Sequence, residues 1–160
     1  MRKDRQKPPT ILFLCLGNIC RSPLAEGAAR TAFAAAGIDA VLDSAGTGDW
    51  HVGHPPDARA QAEARRRGVD ISDLRARQLS PEDFRRFDLI LAADMNNLRD
   101  ARAIRPADAT ATLALMFDRV PGREGESVAD PFYGDDDGFA ATWDDVSAVA
   151  SALVASSTSG

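Results

Sequence analysis

The chain has no apolar run approaching the roughly 18 residues that a membrane-spanning helix needs, so no membrane association is expected. Its start, residues 1–9, is basic, with no apolar stretch behind it long enough for export, and the expected location is the cytoplasm. Cysteine is scarce. The two present, Cys15 and Cys20, lie too close together for a disulfide framework and suit a reducing compartment. Histidine is equally rare: His51 and His54 have no Cys or carboxylate at zinc-ligand spacing, and Pro55-Pro56 forbids a helix that would set both on one face. They read as loop residues. Asp135-Asp136-Asp137 reads as a solvated turn, and neither a metal nor a cofactor is expected. Positive charge is also short, and a net charge of -5 argues against nucleic acid as a partner. A diffuse surface charge does not exclude an anionic substrate held by a strong local field.

What remains is ordinary for a soluble globular protein: 160 residues, 44% hydrophobic and 27% charged, enough for one domain with a real core. That domain is expected over residues 10–154, between a mobile lead (1–9) and a frayed tail (155–160). Short apolar runs predict strands over residues 10–16, 40–42, 89–93 and 112–116. Helical patterns fill 22–36, 57–67, a short stretch opened by Ser80-Pro81, 95–103 and 139–154. In the first helix Leu24, Ala28, Ala32 and Ala35 share a face, and Gly37 supplies the stop. In the last, Trp143, Val146, Ala150 and Leu153 do so. Strands alternating with helices predict an α/β fold, a three-layer αβα arrangement with a parallel sheet. Ligands of such sheets sit beyond the C-terminal strand ends, where strand order reverses.

Cys15-Leu16-Gly17-Asn18-Ile19-Cys20-Arg21-Ser22-Pro23 occupies such a place, between the first strand and the first helix. Ser22 and Pro23 suit the N-cap and first helical positions, so the loop ends at a helix N-terminus that favours an anion. Gly17 and Asn18 tolerate the left-handed backbone that turns successive N–H groups inward as a nest. Cys15 faces that nest, where dipole, N–H groups and the Arg21 guanidinium would favour its thiolate. Arg21 can grip two phosphate oxygens with its planar fork. A thiolate attacking a phosphate ester gives a phosphocysteine and a poor leaving group, so an acid is required. Asp130, in the turn-rich Asp130-Pro131-Phe132-Tyr133 stretch, is the candidate.

The run C-x-G-N-I-C-R-S-P resembles that of the low-molecular-weight protein tyrosine phosphatases. Ser44-Ala45-Gly46-Thr47-x-x-Trp50-His51, Asp57-x-Arg59-Ala60, Asp94-x-x-Asn97 and Asp130-Pro131-Phe132 match further family motifs in order. The resemblance implies a four-stranded parallel sheet of order 2-1-3-4, with the phosphate loop after strand one. It implies a metal-independent phosphatase whose catalytic residues are Cys15, Arg21 and Asp130, with the backbone of Leu16, Gly17, Asn18, Ile19, Cys20 and Ser22 holding the phosphate. Trp50, Phe132 and Tyr133 would wall a deep cleft for a phosphotyrosine ring, with Ser44 bonded to Asn18 and Asp94 bracing the site or capping a helix. The partners implied are phosphotyrosine proteins, with inorganic phosphate as product and a tyrosine kinase in opposition. Cys20 reads either as a small buried hydrophobe or as the partner of Cys15 in a protective, reversible disulfide.

One position departs from the pattern. The family places a His before x-A-R-Q, supporting the Asn that matches Asn18 and pairing the Glu that matches Glu26; here Leu74 stands there. Glu26 must then find another partner, and a looser loop with reduced activity is expected. Three other readings are weaker. An arsenate reductase of this fold would need cysteines outside the loop, and there are none. Phosphoarginine phosphatases among the relatives replace Ile19 by Thr. A non-catalytic phosphotyrosine-binding module has only Leu74 in its favour.

Overall fold

The computed structural model describes residues 7–132, 134 and 136–158. Its central strand is β1 (Thr10–Cys15), which pairs in parallel with β2 (Val41–Gly46) on one side and β3 (Leu89–Ala92) on the other. β4 (Thr112–Leu115) extends the sheet beyond β3, so the order is β2-β1-β3-β4, all parallel. The chain reverses direction of travel across the sheet between β1 and β3, and Cys15 is the last residue of β1 at that switch point.

Strand alternation decides which way the cysteine points. Ile11, Phe13 and Cys15 join one buried cluster, beneath α1 (Arg21–Ala36), α2 (Ala58–Arg66) and α5 (Asp136–Thr158). Leu12 and Leu14 join the other, beneath α3 (Asp83–Arg86) and α4 (Met95–Ala103). Both faces of β1 are therefore dry, which is why its sequence is continuously apolar. α1 packs along α5: Leu24, Ala25, Ala28, Ala29 and Phe33 meet a face carrying Phe139, Trp143, Val146, Val149 and Leu153. The alanines let the two helices approach closely. Among the described residues, no helix is long and apolar enough to cross a membrane.

Several boundaries differ from the sequence expectation, each for a local reason. β2 does not stop at Leu42 but runs through Asp43 and Ser44 to Gly46, because β1 offers paired partners along its whole length. Helix α1 begins at Arg21, with Cys20 rather than Ser22 flanking it, since the Leu24 N–H already bonds to the Cys20 carbonyl at 3.1 Å. Ala35 is exposed, and Phe33 takes its place in the core. Ser80-Pro81 form the turn before α3, held by the Asp83 carboxylate, which accepts the Ser80 N–H at 2.9 Å. Met116 leaves β4 to start a 3₁₀ turn. α5 is longer at both ends than residues 139–154; at the far end the hydroxyls of Ser156 and Ser157 donate to the Leu153 carbonyl at 3.0 and 2.9 Å.

Candidate active site

The loop after β1 is held from three sides. The strand pairing of β2 continues past its end, with Thr47 and Gly48 N–H groups donating to the carbonyls of Cys15 and Leu16, each at 2.9 Å. Gly46 permits this approach, because a Cβ there would meet the Leu16 carbonyl oxygen at 2.7 Å. Asn18 stands at φ 58°, the one non-glycine residue in the left-handed region among the described residues. Gly17 is not left-handed. Its lack of a side chain serves a different need, since a Cβ there would meet the His51 ring at 2.9 Å.

Asn18 keeps its backbone conformation because its amide is fully used. Its Nδ2 donates to Ser22 Oγ at 2.9 Å and to Ser44 Oγ at 3.0 Å, while its Oδ1 accepts the Arg77 N–H at 2.9 Å. Ser44 in turn donates to Glu26 Oε1 at 2.8 Å, and Arg30 pairs with the other carboxylate oxygen. So Glu26, 1% exposed, finds its partners without a histidine, and Leu74 is packed against the core instead. Burial raises the Glu26 carboxyl above the usual range, with the Ser44 bond and Arg30 working against it.

Donors converge on the Cys15 sulfur. The Asn18 N–H reaches it at 3.3 Å and Ser22 Oγ lies 3.0 Å away. Since Ser22 Oγ accepts from Asn18, its own proton is available to the sulfur, the Ala45 carbonyl being farther at 3.4 Å. This is the physical reason Ser22 does not cap its helix. Arg21, 3% exposed, is aimed by two acceptors: its Nη1 donates to Asp94 Oδ2 at 2.8 Å and to the Val128 carbonyl at 2.9 Å. Asp94 does both things that its motif allowed, since its other oxygen accepts the Asn97 N–H and caps α4. The second nitrogen of Arg21 faces Asp130 Oδ2 at 3.7 Å, and Asp130 Oδ1 accepts the Phe132 N–H at 3.0 Å.

Cys15, Leu16, Gly17, Ile19, Cys20, Arg21, Trp50, His51, Asp130 and Phe132 line one cleft of about 430 Å³. Trp50 is 66% exposed and stands at its rim. Tyr133 lies outside the described residues. His51, read from sequence as a bystander in a loop, is a lining residue; its place directly after Trp50 was the available signal. Cys20 is a free, buried thiol, as is Cys15, and burial pushes the Cys20 thiol far up, with Asp57, Cys15 and Asp130 adding to the effect. Among the described residues, no group of three or more His, Cys, Asp or Glu is placed to hold a metal ion.

A cysteine at the end of a central parallel strand, met by a backbone N–H and a serine hydroxyl beside a helix N-terminus and sharing a cleft with a buried arginine and a carboxylate, is an arrangement that suits an anion next to a thiol. Comparison with known proteins gives the particular family. The family model "Low molecular weight phosphotyrosine protein phosphatase" matches residues 10–158. The chain is 42% identical over 132 residues to the low molecular weight phosphotyrosine protein phosphatase of Schizosaccharomyces pombe, covering 81% of this chain and 84% of that one. The crystal structure of YfkJ from Bacillus subtilis superposes with a TM-score of 0.88 at 35% identity, covering 97% of this chain and 98% of the other. A drosophila arginine phosphatase structure superposes with a TM-score of 0.85 at 29% identity, over 92% and 96% of the two chains. The chain belongs to the low molecular weight phosphotyrosine protein phosphatase family, a family of metal-independent hydrolases.

Proposed function

We propose that the protein hydrolyses phosphotyrosine in other proteins by passing the phosphoryl group through Cys15. The observation that carries this reading is the convergence at the cleft floor: two donors on the Cys15 sulfur, with Arg21 and Asp130 facing each other beside it. The sulfur attacks phosphorus in line as the bond to the phenolic oxygen breaks. Arg21 and the N–H groups of residues 16–22 take the charge on the three remaining oxygens. Asp130 protonates the departing phenolate, whose free pKa is about 10. It then removes a proton from the water that cleaves the S–P bond, releasing inorganic phosphate and restoring the thiolate. Trp50 and Phe132, both lining the cleft, flank the tyrosine ring.

Ile19 lines the cleft, and this favours the aromatic substrate over phosphoarginine, for which relatives carry Thr at that place. Two free cysteines in one loop fit a cytoplasmic setting, in which phosphotyrosine proteins made by an opposing tyrosine kinase are the partners. The test is the rate of aryl phosphate hydrolysis against pH, without added metal, for the native chain, Cys15→Ser and Asp130→Asn. The reading expects a bell-shaped profile, abolished by the first substitution and lowered by about 10² to 10⁴ by the second. Turnover surviving in Cys15→Ser would overturn it.

A further inference from the structure

Asp57 and Arg59 are not among the residues that line the cleft, yet they join the two loops that do. The Asp57 N–H donates to the Ile19 carbonyl at 2.9 Å, tying the start of α2 to the phosphate loop. The Asp57 carboxylate caps α2 through the Arg59 N–H at 2.8 Å and grips the Arg59 side chain with both oxygens, at 3.1 and 3.0 Å. That grip holds the Asp57 carboxyl below the usual carboxylate range. The guanidinium so fixed reaches across to the other loop. Its Nη2 donates to the Phe132 carbonyl at 2.9 Å, its Nη1 to the Gly134 carbonyl at 3.2 Å, and its face lies 4.8 Å from the centre of the Phe139 ring. Phe132, whose carbonyl Arg59 holds, is the residue whose N–H fixes Asp130 Oδ1 and leaves Oδ2 turned toward Arg21.

We propose that Arg59 is the positioning residue for Asp130: anchored on the phosphate loop through Asp57, it holds the carbonyls of Phe132 and Gly134 and so locks the turn after Asp130 at the height where Asp130 meets the leaving oxygen. The assignment rests on Asp130 being the acid, as above. Lysine cannot substitute, because the contacts need a planar fork with several donors and a stacking face. The turn lies within a long loop that carries Pro121, Gly122, Gly125 and Pro131, so without the clamp the carboxyl would spend much of its time away from the leaving group.

The consequence is selective. A leaving group that is itself a strong acid needs no proton, whereas a phenol near pKa 10 does. The experiment measures kcat/KM for aryl phosphates whose leaving phenols run from strongly acidic, nitro-substituted ones to unsubstituted phenol, in the native chain, Arg59→Met, Arg59→Lys, Asp57→Asn and Asp130→Asn. Arg59→Met is expected to lose roughly ten-fold or more on phenyl phosphate and little on the most acidic leaving group, the same trend as Asp130→Asn but shallower. Arg59→Lys restores only a minor part. Competitive inhibition by inorganic phosphate stays at its native strength, because the Cys15 loop is untouched. An even loss across the series, or none, overturns the proposal. Should Arg59→Met not fold, Asp57→Asn carries the test, since asparagine still caps the helix while loosening the arginine, and the same outcomes apply to it. A flat series in Asp130→Asn would instead remove the acid assignment itself, which separates the two failures.

Discussion

Asn18 holds a left-handed backbone that costs a non-glycine residue about 1–2 kcal/mol, and the three hydrogen bonds to its amide hold it there. Ser44 is the link most open to test, because it also supplies the donor to buried Glu26. Ser44→Ala should lower stability by about 1–3 kcal/mol, read in thermal melting, as a buried carboxylate oxygen loses its donor. Turnover should fall with it, through the loosened Asn18. Leu74→His should leave turnover near native, contrary to the expectation from the family pattern, because Ser44, Arg30 and the Arg77 N–H already make the bonds the histidine would bring. A several-fold gain in steady-state rate would show that the loop is slack. Glu26 gives a pH signature. Its folded-state pKa is raised, so above the ordinary carboxylate range the folded chain holds a proton that the unfolded chain has lost, and stability declines as pH rises through the raised value. Glu26→Gln should cancel that decline, so the melting temperature of the variant should gain on the native one with rising pH. A difference that stays constant with pH would contradict this.

At the scale of elements, the site depends on how closely the end of β2 approaches the loop after β1. Gly46→Ala sets a Cβ 2.7 Å from the Leu16 carbonyl oxygen and 3.2 Å from the Asn18 nitrogen, backbone against backbone, so neither can yield without moving the cradle. Turnover should drop by about ten-fold or more, from a strain of 1–3 kcal/mol, while inhibition by phosphate weakens in parallel. Native kinetics in that variant would show the contact to be slack. β1, α4 and the stop at Gly37 were legible from the chain because local signals decide them: an apolar run, a polar stretch between turns, a left-handed glycine. The start of α1 and the length of β2 were not. Ser22 has every local mark of a cap, but the sulfur and Asn18 claim its hydroxyl from outside the helix. Asp43 and Ser44 have the marks of a strand end, but parallel pairing with Leu12 and Phe13 carries the strand through them.

For the whole molecule, the same distinction applies to function. The structure brings Cys15, Arg21 and Asp130, singled out from one run and one turn of the chain, to a single cleft. His51 in the cleft wall was signalled only by its place after Trp50, and the position of Arg59 behind the 130–132 stretch not at all, because its contacts come from what lies opposite in space. With the sulfur on the floor of a cleft rimmed by Trp50 and Phe132, phosphotyrosine peptides should be turned over at least about 10²-fold faster than phosphoserine peptides, whose short side chain cannot bring phosphate to the sulfur. Comparable kcat/KM for the two would mean a shallower site. The most direct test of the account is to stop the reaction with denaturant during turnover of a phosphotyrosine peptide and locate the phosphoryl group by mass spectrometry. The account predicts it on the peptide containing Cys15, absent from the Cys15→Ser protein. A phosphoryl group on any other residue, or continued turnover with Cys15 replaced, would contradict it.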